Sequence, residues 1–134
     1  MKEIKTTVGK CYEIGMGLHH IKSLIETAHP RLGYKLSYNT KALSEVLLPL
    51  EEVKKELLEK YGTKEPREDN PEEFDFVIKA EDKEKFYNEL TKVTEQETTV
   101  KLYEISLTEL EELKVSFHKD LFDMIEPIFI FDVE

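Results

Sequence analysis

The chain has 134 residues but only one cysteine, no tryptophan, five glycines and five prolines. Because Cys11 stands alone, no disulfide can form within the chain, and such cysteine use is typical of a reducing compartment such as the cytoplasm. No apolar run approaches the roughly 18 residues that a membrane span needs. The N-terminal segment, MKEIKTTVGK, also lacks the apolar centre of a signal peptide. These absences predict a cytoplasmic protein with no membrane partner.

Sequence motifs of common catalytic and cofactor sites are also absent. The chain contains no P-loop pattern, no HExxH, no GxSxG and no paired CxxC. Gly15-Met16-Gly17 supplies two glycines of a dinucleotide-binding turn, but His20 stands where the third glycine belongs, and no strand is expected before it. The sequence therefore predicts no cofactor and argues against an enzyme.

The histidines and the cysteine are the remaining candidates for chemistry. His19 and His20 are adjacent, so they leave a helix in different directions, which disfavours joint capture of one metal ion. A zinc site would need His29, His118 or carboxylates brought in by the fold. Cys11 lies on an apolar stripe and about 12 Å along the helix axis from the nearer histidine, which indicates a buried thiol rather than a nucleophile. We therefore predict no metal site and no catalytic residue.

What the chain does contain is a long apolar pattern with helical spacing between residues 34 and 62. Leucines recur every seven residues, at Leu36, Leu43, Leu50 and Leu57. Asn39, Val46, Val53 and Lys60 hold the intermediate positions. This spacing predicts a helix that buries one side against another helix. Pro49 lies inside it and should kink it, or split it into 35–48 and 49–61.

A second apolar stripe, from Val8 to Ala28, predicts the partner of the long helix. His29-Pro30-Arg31-Leu32-Gly33 has the composition of a tight turn, because the residue before proline avoids helix and glycine permits positive φ. Residues 7–61 should therefore form an antiparallel helical hairpin. Small residues on the first helix, at Gly9, Gly15 and Gly17, could let the long helix come close.

The rest of the chain alternates between short strand and helix patterns. An acidic loop is predicted at 63–73, strands at 74–79 and 98–105, and a helix at 81–94. Ser106 and Glu109 match a capping box that should start a helix running to about Lys114. A further short helix, capped by Ser116, and a buried or paired strand at IFIFDV complete the chain. We predict a single α+β domain over 1–134, in which the helical hairpin packs with a small sheet and short C-terminal helices.

Negative charge is concentrated in the second half of the chain. The net charge is −10, and residues 62–134 carry nine basic and twenty-one acidic side chains. Such a surface repels phosphate backbones, so direct nucleic-acid binding is not expected, whereas a basic protein partner would suit it. The candidate partner-binding residues are Glu109, Glu111, Glu112, Asp120, Asp123, Glu126, Phe129 and Phe131. The alternative for the carboxylates is an ordinary solvated face, and the alternative for the phenylalanines is a place in the core.

Several segments together resemble an uncharacterised family of small bacteriophage and prophage proteins. They are YKLSYNTKAL, LEEVKKELLEKYG, FVIKAEDKEKFYNELTKV, ISLTELEELKVS and DLFDMIEP, within residues 34–127. The resemblance implies a phage product in the host cytoplasm and carries no known activity. Pro49 and the long acidic loop depart from the family pattern.

Three functions are consistent with this sequence. The leading hypothesis is a non-enzymatic accessory protein that binds another protein, in virion assembly or in the modulation of a host factor. An alternative is an anti-defence inhibitor whose acidic surface imitates nucleic acid. An enzyme is the third, and it requires a pocket that gathers at least two of the four histidines and the carboxylates. The leucine stripe could also close between two copies, which leaves a homo-oligomer open.

Overall fold

The computed structural model describes residues 1–24, 30–113 and 117–132. Its helices are α1 (Val8–Leu24), α2 (Pro30–Tyr61), α3 (Ala80–Thr94), α4 (Leu107–Glu111) and α5 (Asp120–Met124). Its strands are β1 (Lys2–Thr7), β2 (Gly62–Pro66), β3 (Phe74–Ile78), β4 (Glu97–Leu102), β5 (Ile105–Ser106) and β6 (Phe129–Ile130). A 3-10 turn, Glu126–Ile128, joins α5 to β6. The predicted α+β class is confirmed.

The helical hairpin of α1 and α2 forms the centre of the fold. The predicted stripe on α2 is confirmed, since its buried residues are Leu32, Leu36, Asn39, Leu43, Leu50 and Leu57. The buried residues of α1 are Val8, Cys11, Ile14, Leu18 and Ile21. Most of these residues belong to one core that they share with β1, β4 and the C-terminal elements, and this core also contains Ile4, Leu102, Ile105, Leu110, Leu121, Ile125 and Ile128. The apolar stripes of the two helices therefore close within one chain.

Helix α2 contains two prolines, Pro30 at its start and Pro49 inside it. Pro30 begins α2 instead of lying in a turn, because its fixed φ and missing N–H suit the first position of a helix. Pro49 does not split α2, which continues through it to Tyr61. Pro49 lies on the exposed side of the helix, where water can reach the carbonyl group that loses its helical partner. His29 and the predicted end of the first helix at 25–28 lie outside the described residues.

Strand β1 was not predicted, although it precedes the first helix. It pairs antiparallel with β4, with Ile4 opposite Val100 and Lys2 opposite Leu102. Its other residues are polar or charged, so the local alternation that identifies a strand is too weak to see. Although a strand does precede the glycines of α1, Gly15 and Gly17 lie inside the helix rather than in a phosphate-binding turn.

The acidic loop predicted at 63–73 is too long, because β2 occupies its first residues. β2 pairs antiparallel with β3, so the connection shortens to 67–73. Most of β2 is exposed, and it therefore carries no apolar alternation.

The predicted strand at 98–105 is interrupted at Tyr103. The backbone N–H of Tyr103 donates to the side-chain oxygen of Asn39 at 2.8 Å, and its carbonyl accepts from the side-chain amide of Asn39 at 3.0 Å.

The C-terminal elements are shorter than predicted. The capping box is confirmed, since the Glu109 N–H donates to Ser106 Oγ at 3.1 Å and the Ser106 N–H donates to Glu109 Oε1 at 3.2 Å. The helix ends at Glu111, while Lys114 and Ser116 lie outside the described residues. Of IFIFDV, only Phe129–Ile130 forms a strand, paired in parallel with β5. Among the described helices, none combines the length and apolar character required to span a membrane.

Candidate functional site

A groove of about 590 Å³ lies where α1, α2 and α5 meet. It is lined on α1 by residues between Tyr12 and Ser23, and on α2 by residues between Thr40 and Glu51. Each of these stretches covers about three helical turns, or roughly 16 Å along the axis. Because α2 and α5 both pack on α1, α1 forms the middle of the groove and the other two helices form its sides. The site is therefore elongated and runs along the helical hairpin.

Gly17 allows α5 to lie against α1. A Cβ atom at this position would be 2.7 Å from Ile125 Cγ2 and 3.2 Å from Met124 Cβ, closer than side chains approach each other. Lys10 Nζ also donates to the carbonyl oxygen of Asp123 at 2.9 Å and so ties the end of α5 to α1. The predicted role of the small residues is thus partly wrong, since Gly17 admits α5 and not the long helix.

The lining of the groove is mainly apolar and is partly open to solvent. Tyr12 and Met16 of α1 are 40% and 47% exposed. Leu47 and Met124 are half-buried on the two sides. Methionine and tyrosine at such positions provide adaptable apolar contact area, because methionine is flexible and tyrosine has an apolar ring. The chain has three methionines, and two of them line this groove.

Three histidines lie along the groove. His19 and His20 come from α1, and His118 precedes α5 beside Asp120. His118 Nδ1 is 3.2 Å from Asp120 Oδ2 and also 3.2 Å from the backbone nitrogen of Asp120. The first contact needs a proton on Nδ1, while the second needs Nδ1 as an acceptor, so these are alternative states. The fold thus gathers histidines and carboxylates in one pocket, which the enzyme hypothesis requires.

The other groups that could take part in catalysis or metal binding are two hydroxyls near the histidines, the thiol of Cys11 and the metal-ligating side chains of the described ranges. Ser23 Oγ donates to the His20 carbonyl at 2.7 Å, and Ser44 Oγ donates to the Thr40 carbonyl at 2.8 Å, so both hydroxyls bond their own helices. Cys11 is fully buried, and that burial raises the pKa of its thiol. Across residues 1–24, 30–113 and 117–132, no three His, Cys, Asp or Glu side chains are placed to hold one metal ion.

The carboxylates of α4 differ in their surroundings. Glu109 Oε1 lies 2.8 Å from Lys35 Nζ and also takes part in the capping box, with both paired side chains mostly buried. Its other oxygen, Oε2, is buried and has no hydrogen-bond partner within the described part of the chain. Glu111 and Glu112 are exposed. Glu112 lines a separate depression together with Arg31. Glu109 is therefore part of the framework, while Glu111 and Glu112 are open to solvent.

The other predicted acidic residues lie on and after α5. Asp120, Asp123 and Glu126 are exposed, and Asp120 lines the groove. The candidate carboxylates are thus distributed over α4, α5 and the residues that follow each helix, and two of them, Glu109 and Asp120, have the basic neighbours Lys35 and His118.

The two candidate phenylalanines also have different environments. The ring of Phe129 packs against Phe122 at 5.1 Å between centroids, and it is half-buried against the core. Phe131 is 71% exposed. Only the second is therefore available to a partner without rearrangement of the core.

The residues that the sequence did not reveal are the apolar ones of the groove. Tyr12 and Met16 are four residues apart and lie off the buried stripe of α1, so they form a second apolar line on one helix. That spacing was the available signal. No protein-family model, no curated protein and no solved structure matches this chain. The function of the groove must therefore be inferred from its own residues.

Proposed function

We propose that this chain is a non-enzymatic binding module that takes an amphipathic helix of a partner protein into the groove between α2 and α5. The observation that carries this proposal is the shape of the groove, which follows α1 and α2 for about three turns. A partner helix of about eleven residues would match that length. Helices that bind in this way place an apolar stripe into an apolar groove, and Tyr12, Met16 and Met124 offer the complementary surface.

The charges along the groove favour a partner helix with basic flanks. Glu51 on α2 and Asp120 on α5 are both exposed and stand on opposite sides of the site. The chain as a whole carries a net charge of −10, which attracts basic partners over a distance. Specificity would therefore come from an apolar stripe in the middle of the partner helix and lysine or arginine along its edges.

The biological setting of this binding rests on the resemblance to small bacteriophage proteins. That resemblance supports an accessory role in the host cytoplasm, either in virion assembly or in the modulation of a host factor. Both roles require a binding surface and no chemistry, which agrees with an adaptable methionine-lined groove. Capture experiments with lysate at low and high salt would distinguish a virion component from a basic host protein.

The methionines provide a direct test of the binding site. A synthetic lysine–leucine amphipathic peptide of about fourteen residues, long enough for the groove, is titrated into protein labelled with ¹³C at the methionine methyl groups. We expect the signals of Met16 and Met124 to shift on binding, while Met1, which lies outside the groove, serves as an internal control. If all three signals stay unchanged at millimolar peptide, the proposal is wrong.

A pair of matched variants tests the same site by affinity. Met16→Arg should weaken peptide binding at least about tenfold, because it places a charge in the apolar middle of the groove. Leu48→Arg is the control, since Leu48 is 58% exposed on α2 and does not line the groove. Equal losses in both variants would indicate nonspecific attraction between the peptide and the acidic chain.

A nucleic-acid-imitating inhibitor is favoured by the exposed carboxylates of α4. Glu111 and Glu112 can be reversed to lysine together without touching the capping box, whereas reversal of Glu109 would break the contact with Lys35. Under the inhibitor hypothesis, this double variant loses a salt-sensitive partner from lysate. Under the groove hypothesis, it keeps the peptide affinity.

The enzyme hypothesis is supported by one observation, the gathering of His19, His20 and His118 with Asp120 in one pocket. His118 is the residue most suited to proton transfer, because Asp120 can orient its ring. Turnover of chromogenic esters or phosphates that disappears in His118→Ala but persists in Leu48→Arg would establish such an activity. The exposure of both side chains argues against it, since catalytic electrostatics are strongest where water is excluded.

A further inference from the structure

The β2–β3 hairpin exposes an unusual amount of apolar surface for such a small element. On β3, Phe74, Phe76 and Val77 are 54%, 39% and 42% exposed. A two-stranded hairpin is only marginally stable in water, and additional strands or packing are needed to support it. Part of that support comes from α2, which contacts both strands, but most of the β3 surface stays uncovered.

The outer edge of β3 offers a complete row of backbone hydrogen-bonding groups. The Arg67 N–H donates to the Glu73 carbonyl at 3.0 Å, which sets the alternation of the ladder between β2 and β3. By that alternation, the N–H and carbonyl groups of Phe74, Phe76 and Ile78 point away from β2. Pro66 lies opposite Phe74, at a position where the missing N–H costs no ladder bond. Within the described ranges, β3 pairs only with β2.

The outer edge of β2 is protected, unlike that of β3. The same alternation directs the backbone groups of Gly62, Lys64 and Pro66 outward, and Pro66 has no N–H to donate. Proline and lysine on an edge strand discourage pairing with another chain. The asymmetry between the two edges indicates that β3 is the one that can accept a further strand.

We propose that a second copy of this chain pairs with the free edge of β3, antiparallel and about a two-fold axis. In the register that overlaps the whole strand, Phe76 faces the partner's Phe76 and Phe74 faces the partner's Ile78. All three outward-pointing residues of each strand then exchange backbone hydrogen bonds, and the two hairpins become one four-stranded sheet. The side chains of Phe74, Phe76 and Ile78 from both strands fall on one face and form a continuous row.

Charge complementarity favours a second copy in this register. Lys79 follows β3 and keeps an extended backbone, with φ −64° and ψ 145°, so it continues the strand by one residue. It would lie opposite the partner's Glu73, and the symmetry creates this opposite-charge pair twice. If Phe76 instead faced the partner's Phe74, Asp75 would lie opposite the partner's Asp75, and like charges would be paired. If Phe76 instead faced the partner's Ile78, Asp75 would lie opposite the partner's Lys79, but fewer residues of the two strands would overlap. The fully overlapped register is therefore the one that combines opposite charges with the longest ladder.

Cross-linking tests the register directly. Residues in a hydrogen-bonded antiparallel pair have Cα atoms about 5.5 Å apart, within the range that a disulfide spans. Phe76→Cys should therefore form a disulfide dimer under mild oxidation. Val77→Cys is the control, because it would face the partner's Asp75, and its two copies would lie diagonally about 7 to 8 Å apart. Cys11 is fully buried and can stay in both proteins. Equal cross-linking of the two variants, or none, would overturn the proposed pairing.

A charge exchange tests whether the pairing occurs in the native protein. Sedimentation equilibrium should show a concentration-dependent dimer for the wild type. Lys79→Glu and Glu73→Lys should each raise its dissociation constant at least about tenfold, since each places like charges opposite one another twice. An equimolar mixture of the two variants should recover the dimer, because every pair is then opposite in charge. A wild type that stays monomeric, or variants that dimerise undiminished, would refute the proposal.

Glu73→Lys also changes a contact within the hairpin itself. Glu73 Oε2 is 2.8 Å from Arg67 Nη1 within the hairpin, so this variant also loses an exposed ion pair. Lys79→Glu breaks no side-chain bond at the start of α3, and a glutamate near a helix N-terminus is favourable. If Glu73→Lys fails to fold, the loss of dimer in Lys79→Glu and the cross-linking pattern still decide the question.

Discussion

Asn39 is the residue whose substitution most directly tests how the fold is specified. It is fully buried at a position where the helical stripe otherwise carries leucine. Its side-chain amide donates to the Tyr103 carbonyl at 3.0 Å, and its side-chain oxygen accepts from the Tyr103 N–H at 2.8 Å. This pair replaces the ladder bonds that β4 would make if it continued past Leu102.

The effect of Asn39→Leu can be estimated from these contacts. The substitution leaves two backbone groups of Tyr103 without their partner, and each unsatisfied buried group costs about 1 to 3 kcal/mol. Because Tyr103 is half-buried, water can reach it in part, so we take about 2 to 3 kcal/mol for both groups together. Burial of the leucine side chain returns about 1.5 to 2 kcal/mol. The variant should therefore be about 1 kcal/mol less stable than the wild type, and Asn39→Ala, which lacks that gain, about 2 to 3 kcal/mol less stable.

Urea unfolding followed by circular dichroism measures both differences. The midpoint should fall in the order wild type, Asn39→Leu, Asn39→Ala, with an unchanged m value, because the surface exposed on unfolding stays similar. If Asn39→Leu is as stable as the wild type or more stable, the reasoning about the Tyr103 groups is refuted. The amide would then act in register selection alone, as buried polar residues in helix stripes can do.

Three further predictions concern other positions in the structure. Pro49→Ala should stabilise the protein by about 1 to 3 kcal/mol in urea unfolding, since α2 is continuous there and the site is exposed; a loss of stability would contradict this. Gly17→Ala should lower the thermal midpoint because its Cβ would clash with α5, whereas Gly15→Ala, with only a 3.9 Å contact, should raise it. The backbone N–H of Thr108 holds the pKa of Asp132 below its ordinary 3.8. The stability difference between wild type and Asp132→Ala should therefore be full above that value and vanish as the pH falls through the lowered pKa, which unfolding curves at several pH values would show.

The hairpin of α1 and α2 could be predicted because its signal is local and long. The leucines of α2 repeat along one face from Leu36 to Leu57, and that periodicity stays visible without knowledge of the partner. The capping box at Ser106 is local as well, since both of its hydrogen bonds join residues three apart. Features of this kind depend on residues that are close together in the chain, so the sequence alone predicts them.

The strands β1 and β2 could not be predicted because their conformation depends on distant partners. β1 has one buried apolar residue, Ile4, and becomes a strand by pairing with β4, almost a hundred residues later. β2 is exposed along almost its whole length and is held by its ladder with β3. Propensity is a weak guide at such positions, because tertiary pairing decides the outcome.

The groove escaped prediction for a similar reason. Its two sides come from α2 and α5, which meet on α1 only because Gly17 leaves room for Ile125. In the sequence, Gly17 resembled half of a nucleotide-binding motif, and His118 had no visible relation to His19 or His20. A site formed by short helices that return to a distant helix has no local pattern, so its residues can be named only after the packing is known.

The groove and the free edge of β3 lie on different parts of the molecule and can act independently. The groove follows α2 between Thr40 and Glu51, whereas the hairpin begins after Tyr61, about three turns further along the helix. A dimer through β3 would thus leave both grooves open and present two binding sites in one particle. Two linked sites bind a repeated target far more tightly than one, provided that both can engage it together. Such an arrangement suits a target that presents the same helix repeatedly better than a target that presents it once, and it gives the proposed dimer a functional reason.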